Sequence, residues 1–128
     1  MVVTVTKWVL RVSAILALIL GIIIWANDSL ANNLVNIHMP LGILVTLSLW
    51  VLGFMFGTAK GGNWGLASVA IVWGLLVLVV GASQLGMQPG PSLLIKIIHL
   101  LLGLIAIGVG EMVAGRYKRL NVASARAM

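Results

Sequence analysis

Cysteine is absent from this chain of 128 residues, and only two side chains, Asp28 and Glu111, are acidic. The first absence removes disulfides, thiolate metal sites and cysteine nucleophiles together. The second removes paired carboxylates. With no nucleophile beside a base and no phosphate-cradling loop either, hydrolytic chemistry has no support. Charge of either sign is scarce: charged residues are 8% of the chain, against roughly a quarter in soluble proteins. So few charges could not coat a soluble globule of this size. What the chain does have is hydrocarbon, with 62% hydrophobic residues and a mean hydropathy of +1.20. This is the composition of an integral membrane protein. A net charge of +6 would suggest a polyanion partner in a soluble chain. Here the basic residues fall at the ends of apolar runs, where membrane orientation explains them, and no nucleic-acid partner is expected.

Four apolar runs, Trp8 to Ala26, Ile37 to Ala59, Trp64 to Leu85 and Leu93 to Gly115, are each long enough to cross ~30 Å of hydrocarbon at about 1.5 Å per residue. Each is about twice the length of a barrel strand, so helices are required. The fold expected is an all-α, integral membrane, four-helix up-down bundle forming one domain. Its helices run over about 8–26, 31–59, 64–85 and 92–115, followed by a basic tail at 116–128. The second helix has two readings, because Pro40 removes a backbone donor and disfavours helix at Met39. It starts near Ile37, or it starts near Ser29 or Ala31 as an amphipathic extension kinked at Pro40, which leaves only a tight Ala-Asn-Asp turn after the first helix. The second reading is preferred.

Lys7, Arg11, Lys60, Arg116, Lys118, Arg119 and Arg126 fall on one side of such a bundle, and only Lys96 on the other. Cytoplasmic flanks collect Lys and Arg, so both termini are expected in the cytoplasm. Lys7 and Arg11 ahead of an apolar stretch, with Ser29-Leu30-Ala31 behind it, imitate a signal peptide. The reading taken is a retained first helix.

The only two histidines lie in matching windows, Ile37-His38-Met39-Pro40-Leu41-Gly42 and Ile98-His99-Leu100-Leu101-Leu102-Gly103, identical at four of six positions at an offset of 61. Gly21 and Gly81, 60 apart, extend the repeat to the preceding helices. The chain therefore reads as two helical hairpins related by a pseudo-twofold axis along the membrane normal. That symmetry puts His38 and His99 at equal depth in the outer half of the bilayer, facing each other. Gly42 and Gly103, each at i+4 on the same helix face, are expected to clear space beside the imidazoles.

An imidazole pair flanked by missing side chains suits a flat, bulky ligand. Haem iron takes axial imidazoles on opposite faces of a porphyrin, and a bundle core supplies both from facing helices. Lys96, at i−3 from His99, is placed to meet a propionate, with the Asn-rich first loop and Gln84 or Gln88 as further donors. In these segments the chain resembles the membrane-bound b-type cytochromes, whose four-helix bundles hold haem between histidines on His-x-x-x-Gly-like helices. The resemblance covers the architecture and the two hexads, and departs from the family in having one histidine pair where many have two. It implies one haem b ligated by His38 and His99, with Gly42, Gly103 and Lys96 lining the site. It also implies electron transfer with a quinol or an outer carrier, in a homodimer or a larger membrane complex. Zinc or copper would have too few ligands. From a different functional class comes a haem-free transporter or structural accessory subunit, in which the histidines only hold helices together.

Glu111 is the only acid inside an apolar run. Twelve residues, or about 18 Å, from His99, it is too far to share a metal with it. Arg11 lies at comparable depth on the first helix, so an Arg11–Glu111 pair is expected, the alternative being a proton-carrying carboxylate. Trp8, Trp25 and Trp64 read as interfacial anchors and Trp50 and Trp73 as mid-span packing. The basic tail is placed to touch anionic lipid.

Overall fold

Asn27 alone separates the first two helices. The computed structural model describes residues 1–87 and 89–128, with helices α1 (Val2–Ala26), α2 (Asp28–Thr58), α3 (Trp64–Ser83) and α4 (Leu93–Arg126), and a 3-10 turn at Gln84–Gly86 after α3. The Asn27 backbone N–H closes α1 on the Ile23 carbonyl at 3.0 Å, while its side-chain oxygen accepts from the Ser29 N–H at 3.2 Å and opens α2. Asp28 adds an acid to the first turn of α2, where the helix dipole favours one. Asn63 and Ser92 cap α3 and α4 in the same way, accepting from the N–H groups of Leu66 and Ile95. The α2–α3 turn depends on two glycines. Gly61 takes a left-handed conformation with φ of 81°, and a Cβ at Gly62 would collide with the Phe56 carbonyl.

The amphipathic-extension reading of α2 is the one realised: the helix begins at Asp28 and runs through Pro40. Pro40 has no N–H to give, so the Asn36 carbonyl loses its usual i+4 donor. The basic segment after residue 115 is not separate from the last helix, since α4 continues to Arg126 over 34 residues. All four helices are long and apolar enough to cross a membrane, and together they form an all-α four-helix bundle with short connections.

Packing in the bundle is uneven in two ways. Across its section, α2 and α4 touch along the short diagonal, whereas among the described residues α1 and α3 do not meet. Along its length, every buried residue among those described lies in the half nearer the α2–α3 turn. The core draws on Val3, Leu10 and Ala14 of α1, on residues of α2 from Val45 to Phe56 such as Leu49 and Leu52, on Ala67, Ala70 and Val77 of α3, and on Ala106, Val109, Val113 and Ala114 of α4. Among the described residues, none between 15 and 44 or between 78 and 105 is buried.

Small residues make the tight half possible, because close backbone approach drives helix association where apolar burial cannot. The Cβ position of Gly53 lies 2.9 Å from the Ala67 carbonyl oxygen, and Gly57 receives the Trp64 ring. Gly110 makes room for Leu10, which is fully buried. Backbone carbonyls receive the polar side chains at these seams. Thr46 Oγ1 donates to the Gly74 carbonyl at 3.1 Å. The indole N–H groups of Trp50 and Trp73 donate to the carbonyls of Ile71 and Leu102 at 2.9 and 3.0 Å. The two mid-span tryptophans therefore join α2 to α3 and α3 to α4.

Candidate histidine pair in the loose half

The two imidazoles meet at the α2–α4 diagonal. Their ring centres are 6.0 Å apart and their planes cross at 65°, edge to face. Both rings are half-buried, and the Nδ1 atom of each is buried without a hydrogen-bond partner. Seventeen residues of α3 separate Trp64 from Gly81, which stands beside His99. At helical rise this is about 25 Å, so the pair sits toward the far end of the bundle from the α2–α3 turn, in its loosely packed half.

The glycines that meet the rings are not those at i+4. A Cβ at Gly21 of α1 would lie 3.3 Å from His38 Cε1, and a Cβ at Gly81 of α3 would lie 3.0 Å from His99 Cε1. A Cβ at Gly42 or Gly103 would have nothing within 4 Å. The reason is the tilt of the helical side chain: Cα–Cβ bonds point toward the helix N-terminus, so an imidazole covers the turn before its own Cα and leaves i+4 uncovered. Gly42 and Gly103 thus border open space one turn deeper than the rings. The glycine cradle comes from the preceding helix of each hairpin, and it is built twice, Gly21 with His38 and Gly81 with His99. The repeat offset of 60 had already paired these two glycines.

The other predicted contributors are more dispersed. Lys96 is half-buried on the first turn of α4, one turn beyond His99. Gln84 donates to the Val80 carbonyl at 3.2 Å, within its own helix end. Asn27 caps α2, and Asn36 donates to the Asn32 carbonyl at 3.3 Å. Gln88 lies outside the described residues. No group of three or more His, Cys, Asp or Glu side chains gathers among the described residues. The histidine pair offers a metal two imidazole ligands, a donor set that suits a group carrying its own equatorial ligands.

Glu111 belongs to a different site. Arg11 donates to it through Nε to Oε1 and through Nη2 to Oε2, the latter at 2.8 Å, and the Arg11 guanidinium also lies 4.9 Å from the centre of the Trp8 ring. Both partners of the ion pair are about a third exposed, at 34% and 32%. The pair ties α1 to α4 at the tightly packed end, and a carboxylate held by a two-pronged guanidinium is a poor carrier of protons. No family model matches the chain, and comparisons with curated proteins and with solved structures give no match.

Proposed function

We propose that this chain is a transmembrane b-type haem protein in which His38 and His99 are the axial ligands. The observation that carries this reading is the separation of the two rings. When two imidazoles ligate one metal from opposite sides, two bonds of about 2 Å and the half-width of each ring put the centres roughly 6 Å apart, and here they are 6.0 Å apart. Two further features agree. The half of the bundle holding the pair has no sealed core. Gly42 and Gly103 border open space beside the rings, where a macrocycle needs room.

In this reading haem supplies one-electron chemistry, and the chain supplies the rest. His38 and His99 would hold the haem iron from the two central helices, Gly21 and Gly81 set how closely each ring lies on its neighbouring helix, and Lys96 would supply a cation for a propionate. Both termini lie in the cytoplasm, with seven of the eight basic residues at that end. A redox centre about 25 Å along a ~30 Å span lies by the outer face. Its partners are then a quinol in the bilayer or an outer electron carrier, reached as a homodimer or as part of a larger complex. The visible spectrum of the detergent-purified protein is the test. A sharp Soret band with split alpha and beta bands on reduction is expected, lost in His38→Ala and in His99→Ala.

The edge-to-face arrangement of the imidazoles, at a spacing ordinary for packed aromatic rings, favours a second reading, a haem-free transporter or structural accessory subunit whose histidines join α2 to α4 by packing alone. A colourless preparation that does not take up added hemin would select it.

A further inference from the structure

The last three turns of α4 run beyond the packed core. Tyr117 and Leu120 turn inward, and Leu120 Cδ2 lies 3.4 Å from the Cβ position of Gly61, so this part of α4 stands level with the α2–α3 turn. The opposite face is a shallow groove lined by Gly115, Lys118, Arg119, Val122, Ala123 and Arg126, and a second depression holding Arg116 adjoins it at Gly115 and Arg119. Nothing lies within 4 Å of where a Gly115 Cβ would be. The one acid nearby, Glu111, is engaged by Arg11. Among the described residues the basic side chains of this face take part in no ion pair. The groove therefore carries uncompensated positive charge at the boundary where the apolar span ends.

That charge continues into an apolar track. Leu101, Ile105, Gly108 and Met112 follow at helical spacing on the exposed side of α4 and lead to Gly115 and Arg119. A Cβ at Gly108 would also touch nothing within 4 Å, so the track is indented there. From Arg116 up to Ile105 is about 16 Å, close to the thickness of one leaflet, half of ~30 Å. We propose that this face binds an anionic phospholipid, with Arg116 and Arg119, one turn apart on the same face, on its phosphate and an acyl chain along Met112, Gly108 and Ile105. A soluble polyanion would use the cations but has no reason to be matched to an apolar track of leaflet length. Guanidinium groups suit phosphate oxygens because their paired N–H donors match them geometrically.

Native mass spectrometry of the detergent-purified chain, with phosphatidylglycerol or phosphatidylcholine added at equal concentration, tests this. Phosphatidylglycerol is expected to be retained preferentially, with a loss of roughly fivefold for each arginine removed in Arg116→Gln and Arg119→Gln. Lys96→Gln, at the other end of α4, should leave retention unchanged. Gly108→Leu, which fills the track without altering charge, should also weaken retention. Equal retention of the two lipids, full retention in the double arginine variant, or an effect of Lys96→Gln as large as theirs would overturn the assignment.

Discussion

Gly81 presents bare backbone to His99, with 3.0 Å between its Cβ position and the imidazole Cε1. Gly21 does the same for His38 with slightly more room, 3.3 Å. Both distances are tighter than ordinary contact, so a Cβ at either position makes the ring give by a few tenths of an ångström, more at Gly81 than at Gly21. Gly81→Ala should therefore destabilise the detergent-solubilised protein by about 1 kcal/mol, while Gly21→Ala should be close to neutral, its crowding offset by the about 0.5–1 kcal/mol gained when alanine replaces a helical glycine. Unfolding in SDS measures both. Equal effects would mean that the two cradles are not distinguished by their spacing.

Gly110 and Gly108 lie two residues apart on α4 and face opposite environments. Gly110 receives the buried side chain of Leu10, whereas Gly108 meets nothing. Gly110→Ala is expected to cost about 1–3 kcal/mol through overpacking, and Gly108→Ala to stabilise the helix by about 0.5–1 kcal/mol. The same unfolding assay reads both, and the opposite sign of the two changes is the critical outcome.

Arg11 and Glu111 should be coupled in a double-mutant cycle. Glu111→Gln leaves the Arg11 guanidinium without its carboxylate at the edge of the apolar span, and Arg11→Leu leaves the carboxylate alone. Each single change is expected to destabilise by about 1–2 kcal/mol, below the cost of breaking a fully buried pair because both groups are partly exposed. The double variant Arg11→Leu/Glu111→Gln should lose less than the sum of the two. Strict additivity would mean that the two-pronged contact contributes no coupling.

Much of this molecule could be read from residue order because hydrocarbon leaves a chain few options. Apolar runs of membrane-spanning length have to be helices, and Asn27, Asn63 and Ser92 stand where helix starts need caps. The Arg11–Glu111 pair was legible because only one cation shares the depth of the only acid within a span. The approach of His38 to His99 was legible through the repeat, which placed both on equivalent helices. The glycine contacts were not. Spacing along one helix nominated Gly42 and Gly103, while the direction in which a helical side chain leans, and the neighbour it then meets, depend on how the helices are assembled. The lengthwise imbalance in packing was hidden too, since apolar residues that face lipid and those that face another helix are written alike.

That imbalance bears on how the protein would mature. Among the described residues every side chain sealed from its surroundings lies in the half nearer the α2–α3 turn, so insertion and association of the helices draw on a core that ends before the imidazoles. On the proposed haem reading, a guest entering sideways from the bilayer would have to part only the imidazole pair and would leave the sealed core untouched. Assembly of the scaffold and loading of haem would then be separate events, and a variant crippled in the second would still accumulate as an intact, empty bundle.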